Sequence, residues 1–299
     1  MKTRAIILHK NGNADQMIWD EVNLSDPEHG QVLVKHEFVG FNMIDTYHRS
    51  GIYPSPSKPC FLGTEASGVI ERVGPGVESF DVGDRVAYAG SGSGLGSYSY
   101  MRLMNSDDLI KVPDWMGLEV AAAILTKGRT VEYLFNRTHR LRKGETLLFN
   151  AAAGGVGQIA GQWASSIGAI PIGIVGTREK EQFALSSGYK YVFNMRDHDI
   201  VKEVMMITDS KGVDVVYDSI GLTTWDISLT AVKKLGLVVS FGSASGNPPP
   251  YDIAKEGVKN SAFIHRATMV NYMTSPEISR KSAESVFDMI KSGSIKLNL

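Results

Sequence analysis

From about residue 121 onward the sequence alternates short, nearly uninterrupted apolar runs with helix-length stretches. The runs are "TLLFNA", "IPIGIV", "YKYVFN", "VDVVYDS" and "GLVVSFG"; between them stand "GGVGQIAGQWASSIG", "REKEQFALSSG", "DIVKEVMMITDS" and "TTWDISLTAVKKLG". A run with no polar face suits a strand covered on both sides, and a helix between two such strands lets the chain re-enter the sheet in the same direction. The expectation is an α/β fold with a doubly wound parallel sheet, its ligand-binding turns gathered at the carboxyl ends of the strands. The first 120 or so residues read differently. "RAIILH", "QVLVKHEFVGF", "ASGVIERVG", "DRVAYAG" and "YSYMRLM" are β-like runs separated by turn residues such as Gly74-Pro75-Gly76 and Gly83-Asp84, with a glycine-serine loop over 91–96. An all-β unit is expected there. After Asn260, "SAFIHRATMVNY" reads as one more strand. "SPEISRKSAESVFDMIKSG" reads as a helix with Ser275 as N-cap, Pro276 as first helical residue and Gly293 beyond its end, and "SIKLNL" as the beginning of a strand.

Composition narrows the function classes. The chain has 299 residues, 43% of them apolar, enough for two domains that each bury a core. A formal net charge of -1, from 31 basic and 32 acidic residues, produces no field to draw nucleic acid or an anionic membrane. The one cysteine, Cys60, allows no internal disulfide and no thiolate cluster, and reads as a small buried hydrophobe. "MKTRAIILHKNG" has too short an apolar core for a secretory segment, and no stretch approaches the roughly 20 apolar residues of a membrane span. A cytoplasmic protein is expected.

The run "FNAAAGGVGQIAGQWASSIGA" (149–169) places a glycine cluster between a strand candidate and a helix candidate. Glycine also serves ordinary turns, but here the free N–H groups and the positive end of a helix dipole face outward, as a phosphate requires. Set against the dinucleotide pattern G-x-G-x-x-G, the key positions are Ala152, Gly154 and Gly157, with alanine for the first glycine. About 20 residues further on, a carboxylate at the end of the second strand would bind a ribose 2′-hydroxyl. The sequence there is "GIVGTREKEQ": Gly176 and Thr177 hold the position, Arg178 and Lys180 follow, and nothing repels a 2′-phosphate. NADPH is favoured over NADH, with Lys180 as the phosphate ligand. The other reading is a solvated helix start on which Glu179 and Glu181 neutralise those bases.

"GETLLFNAAAGGVGQIAGQWAS" resembles the signature of the quinone oxidoreductase (zeta-crystallin) branch of the medium-chain dehydrogenases/reductases. Gly144, Glu145, Leu148, Ala152, Ala153, Gly154, Gly155, Gly157, Gln162 and Ser165 are in register. "GFNMIDTYHRSGIYP", "GTEASGVIERVGPGV", "GDRVAY", "VDVVYDSIG" and "VVSFGSASG" extend the resemblance over nearly the whole chain. It implies a GroES-like β-barrel catalytic domain over 1–122, with 268–299 returning to it, and a Rossmann NADPH-binding domain over 123–267. It also implies a further helix and strand beyond Leu299, and a homodimer paired through the strand near 261–266. Zinc-dependent relatives place metal ligands where this chain has Asn42 and Thr64, so no metal is expected.

Carried over by position, Asn42 resembles a residue on the nicotinamide side, and Tyr47 and Tyr53 resemble tyrosines of the substrate pocket; these three are the candidate catalytic residues. Lys127 and Thr130 look cofactor-facing. Ala153, Gly154, Gly155, Val156 and Gly157 would form the pyrophosphate turn, and Gly176, Thr177 and Lys180 would surround the adenosine phosphate. Ser219, Ile220, Gly221, Phe241, Gly242, Ser243 and Arg266 would lie near ribose and nicotinamide. Close relatives often carry a tyrosine where this chain has Met195, which removes a hydroxyl near the phosphate; Arg196 is placed to compensate.

The implied activity is NADPH-dependent reduction of quinones by hydride transfer from nicotinamide C4, an NADPH:quinone oxidoreductase. A donor from Tyr47 or Tyr53 would stabilise the oxyanion that forms; alternatively both are amphipathic pocket walls. No acid–base relay can be argued from spacing. The alternatives are reduction of the C=C bond of 2-alkenals and enones, and a non-catalytic NADPH-binding role of crystallin or RNA-binding kind. The absence of a basic aromatic patch disfavours RNA.

Overall fold

The computed structural model describes residues 1–54, 58–90 and 94–298, so the tip of the glycine-serine loop at 91–93 lies outside the described residues. The chain divides into two compact units, one of residues 1–129 and 273–284, the other of 130–272 and 285–298.

The first unit is built on antiparallel strands: β1 (Lys2–Leu8), β2 (Met17–Asn23), β3 (Gln31–Gly40), then helix α1 (Met43–Ser50), β4 (Cys60–Phe61), β5 (Glu65–Val73), β6 (Arg85–Ala89), β7 (Met101–Asn105) and β8 (Ile110–Lys111). They form a three-stranded sheet, β2-β1-β4, and a five-stranded sheet, β7-β3-β5-β6-β8. Alternation along β3, β5 and β6 turns Val32, Val34, Ala66, Ile70, Val86 and Tyr88 into one core with Phe80, Met104 and Leu109. Helix α1 interrupts this β-rich unit. Asp45 Oδ2 accepts from Asn42 N at 2.9 Å at its start, and Gly51, at φ +90°, ends it.

Helix α2 (Leu118–Tyr133) ends the run of residues assigned to the first unit at Arg129. The second unit follows the strand–helix alternation of the sequence: β9 (Thr146–Asn150), α3 (Gly155–Ile167), β10 (Ile170–Val175), α4 (Glu179–Ser186), β11 (Tyr191–Asn194), α5 (Ile200–Ile207), β12 (Val213–Asp218), α6 (Trp225–Ala231), β13 (Val232–Ser240), α7 (Ile253–Glu256) and β14 (Phe263–Arg266). The six strands are ordered β11-β10-β9-β12-β13-β14 and every pair is parallel. This is the doubly wound sheet the apolar runs predict, with its reversal of strand order at β9 and β12. Leu148, Ile172, Ile174, Val216 and Val238 pack under Trp225, Ile200 and Val204 of the helices.

The final helix, α8 (Pro276–Lys291), starts at the predicted cap, where Ser275 Oγ accepts from Ile278 N at 3.2 Å, and Gly293 lies beyond it at φ +75°. Three expectations are corrected. "TTWDISLTAVKKLG" is not one helix, because at 231–233 the backbone already packs against Gly212, 2.7 Å from where a Cβ there would stand. "SAFIHRATMVNY" gives a strand of only four residues, followed by a single 3-10 turn, Met269–Asn271. Residues 294–298 of "SIKLNL" form no strand, and Leu299 lies outside the described residues: Gln162 of α3 accepts from Lys296 N at 2.8 Å and donates to Lys296 O at 3.0 Å, so one side chain takes up both main-chain groups. That contact also places 285–298 with the second unit, not with the first.

Candidate functional site

In the second unit, β9 runs into α3 through a turn whose left-handed residue is Ala151, at φ +58°, one position before the alanine aligned with the first glycine of the pattern. Ala152 is instead buried, its N–H bonded to Ile174 O. Gly154 is the N-cap of α3, and no side chain caps the helix, so the first-turn N–H groups are left for a ligand. At Gly157 a Cβ would stand 2.4 Å from Ala151 O and 2.5 Å from Ala152 O. Glycine is therefore required there to seat the helix on the turn. Ala153, Gly155 and Val156 stay half-buried around it.

At the end of β10, a Cβ on Gly176 would meet nothing within 4 Å, so the chain leaves open space there. The charges around it are not equivalent. Arg178 pairs with Asp197 at 3.3 Å, and Glu179 takes a hydrogen bond from the Thr177 hydroxyl, which holds its carboxyl below the usual range. Lys180 is exposed and has no ion-pair partner among the described residues. The acids therefore neutralise Arg178 but leave Lys180 available. Met195 turns toward the core beside Phe193.

Beyond β12 the sequence reading missed the organising group. Asp218 is fully buried and accepts from Ile220 N at 2.8 Å, Gly221 N at 3.0 Å, and the hydroxyls of Thr224 and Ser228. Ser228 in turn accepts from Asn150 Nδ2 at 3.2 Å. The N–H groups of Ile220 and Gly221 thus point inward, which makes those two residues a shaped wall and not donors. The only local signal is an aspartate at a strand end, three residues before a glycine. Phe241, Gly242 and Ser243 follow β13. Gly242 is forced by approach to Ser219 O, and Arg266 donates to Ser240 Oγ at 2.8 Å and to Gly242 O at 2.9 Å, clamping this loop. Thr130 is buried at the end of α2.

In the first unit, Asn42 is 6% exposed and its amide is occupied. Nδ2 donates to Glu65 Oε2 at 2.7 Å and to Thr126 Oγ1 at 3.4 Å, while Oδ1 accepts from Lys127 Nζ at 3.0 Å. Lys127 also donates to Phe41 O at 3.3 Å and lies 3.6 Å from Glu65 Oε2. Thr64 donates to Asp45 Oδ1 at 2.9 Å, and Tyr98 to Asp45 Oδ2 at 2.8 Å. Burial raises the pKa of both Asp45 and Glu65; the ammonium of Lys127 opposes this at Glu65. Tyr47 and Tyr53 come together, ring centroids 5.0 Å apart, with His48 edge-on to Tyr53. Tyr47 is buried at 6% exposure, whereas Tyr53 is only half-buried. Among the described residues no group of three or more His, Cys, Asp or Glu side chains could hold a metal ion.

Comparison with known proteins matches 28–114 to the alcohol dehydrogenase GroES-like domain family and 155–286 to the zinc-binding dehydrogenase family. A quinone oxidoreductase of Salmonella typhimurium is 43% identical over 299 residues, covering 100% of this chain and 90% of that protein. A 2-haloacrylate reductase of a Burkholderia species is 40% identical, over 97% of this chain and 88% of its own. The crystal structure of Escherichia coli quinone oxidoreductase complexed with NADPH superposes with a TM-score of 0.96 at 42% identity, over 99% of this chain and 90% of that one.

Proposed function

The chain belongs to the quinone oxidoreductase branch of the medium-chain dehydrogenases/reductases, and on that premise we propose that it reduces quinones with NADPH and without a metal. The observation that carries the reading is the full-length likeness, at 42% identity, to a quinone oxidoreductase that binds NADPH. When bound, NADPH supplies the hydride from its dihydronicotinamide ring.

The residues of this chain fit that cofactor. The uncapped start of α3 at Gly155 and Val156 binds the pyrophosphate, with Gly154 and Ala153 lining the approach. Gly176 leaves the space, and Thr177 and Lys180 the polar groups, for the 2′-phosphate. Ser219, Ile220, Gly221, Phe241, Gly242 and Ser243, set by Asp218 and Arg266, wall the ribose and nicotinamide. From the family resemblance we assign Asn42, Lys127 and Thr130 to the nicotinamide side, and Tyr47 and Tyr53 to the acceptor. Of the two, the half-buried Tyr53 is the better placed to donate to a developing oxyanion. Asn42 and Thr64 are tied to carboxylates, and the nearest cation is an ammonium, which repels a divalent metal ion. These features support metal-free hydride transfer.

Reduction of an activated C=C bond is the second reading, supported by the 40% identical 2-haloacrylate reductase. Following NADPH oxidation with a small quinone and, in parallel, with an enone and 2-haloacrylate separates the two. Quinone turnover is expected; turnover of the C=C substrates alone reverses the order. We also propose a cytoplasmic homodimer paired through β14, the edge strand whose Phe263 is 63% exposed.

A further inference from the structure

Glu65 belongs to none of the groups assigned above, yet it is the most enclosed charge of the first unit, at 0% exposure. Each of its oxygens is committed. Oε1 accepts from Thr126 N at 2.7 Å, in the middle of helix α2, and Oε2 accepts from Asn42 Nδ2 at 2.7 Å with Lys127 Nζ 3.6 Å away. Its own N–H is held by Ser97 Oγ at 3.2 Å, and a Cβ on Gly40 would stand 2.6 Å from Oε2, so no side chain separates β3 from the carboxylate. Every nitrogen around the carboxylate is a donor. These donors and the Lys127 ammonium oppose, at the carboxylate itself, the burial that raises the Glu65 pKa. Lys127 balances that charge and, through Asn42 Oδ1, dictates which way the Asn42 amide points.

We propose that Glu65 is a positioning residue for hydride transfer: its buried carboxylate sets the orientation of Asn42 and the location of the Lys127 ammonium on the nicotinamide side. The inference rests on the functional reading given above. Glu65 touches neither cofactor nor acceptor and acts through these two side chains. Replacing it with an amide turns an acceptor into a donor opposite Asn42 Nδ2. Asn42 must then flip, presenting its own N–H groups to the ammonium, and Lys127 loses its seat.

The test compares Glu65→Gln with the swap Asn42→Asp/Glu65→Gln. The swap keeps the net charge and restores a donor–acceptor pattern: the introduced amide accepts from Thr126 N through its oxygen and donates to the new carboxylate, which accepts from Lys127. Three readouts are taken: thermal melting, the emission of the bound dihydronicotinamide together with NADPH affinity, and kcat separated from KM. For Glu65→Gln the expectation is a kcat at least about tenfold lower, with quinone KM and NADPH Kd each within about threefold, because the phosphates bind in the other unit. The emission of bound NADPH changes with it. The swap returns the melting temperature and the emission of bound NADPH to those of the parent; because it alters Asn42 itself, its kcat decides nothing. A folded Glu65→Gln with parental kcat and emission overturns the inference. So does a folded swap variant whose bound-NADPH emission stays with that of the single variant, or an activity loss in Glu65→Gln that merely follows the folded fraction. If Glu65→Gln does not fold, the swap decides alone, by whether its emission is that of the parent. If neither folds, the carboxylate is a folding element and the inference falls. A parent protein inactive on quinone and C=C acceptors defeats the functional reading instead, and the emission of bound NADPH still decides the role of Glu65.

Discussion

The two units make their candidate site groups from different materials. In the second unit the groups are main chain: an uncapped helix start, an open glycine at the end of β10, and turns whose N–H groups are held inward by Asp218. In the first unit they are side chains drawn from a loop, a strand and a helix, so that Asn42 meets Glu65, Thr126 and Lys127 across sequence separations of 23, 84 and 85 residues. Main-chain sites depend on local backbone shape and fail when a side chain intrudes. Side-chain networks depend on donor–acceptor matching and fail when one partner changes. The two kinds therefore break differently under substitution.

The largest effect is expected at Gly157, where the colliding atoms are two carbonyl oxygens. Gly157→Ala should cost about 3 kcal/mol or more of stability and abolish quenching of NADPH fluorescence, read by denaturant unfolding and titration. A loss under about 1 kcal/mol would show that the turn yields easily and would blur the contrast. Next is Asp218→Ala, which strands two main-chain donors and two hydroxyls. A loss of about 2–3 kcal/mol is expected, with Asp218→Asn retaining more stability because one carboxyl oxygen remains.

The first unit offers a pH test. His36 Nδ1 donates to Ser99 O at 2.7 Å and, in the neutral ring, Nε2 accepts from the Tyr88 hydroxyl at 2.9 Å; burial, with Arg102 nearby, lowers its pKa to about 4. The fold holds the neutral ring, while the unfolded chain takes up a proton near pH 6.5. Its contribution is therefore complete above about pH 6.5 and is lost as the pH falls toward 4, on the order of 3 kcal/mol in all. The melting temperature of the parent should fall across that window relative to His36→Gln; parallel curves would remove His36 from the account. The smallest effect belongs to the exposed Lys180 of the main-chain site. Lys180→Ala should weaken NADPH about tenfold, roughly 1.4 kcal/mol, and leave NADH unchanged. Equal weakening of both would return Lys180 to the solvated helix face.

The sequence discloses these two kinds of site unequally. Uninterrupted apolar runs announce the parallel sheet, and Ser275, Pro276 and Gly293 announce the last helix, because each signal acts within a few residues of itself. The same holds for the glycine turn, although its left-handed residue is Ala151, one position before the alanine aligned with the first glycine. Helix α1 hides behind β-like neighbours; the pair Asn42 and Asp45 with Gly51 was its trace. Glu65 and Asp218 leave no comparable mark. An acidic residue in a strand looks like any solvated charge until the fold turns donors toward it, from 23 and 61 residues away for Glu65 and from the following turn and helix for Asp218.

The contact of Gly157 with the carbonyls of 151 and 152 also shapes which mutational histories are open to this chain. Both sides of that collision are backbone, so no second-site side-chain suppressor can make room, and selection for recovery of a Gly157→Ala mutant should return only revertants. The Asn42 network is open in the opposite sense: a loss there can be answered by a compensating change at a partner, and the two positions can drift as a pair.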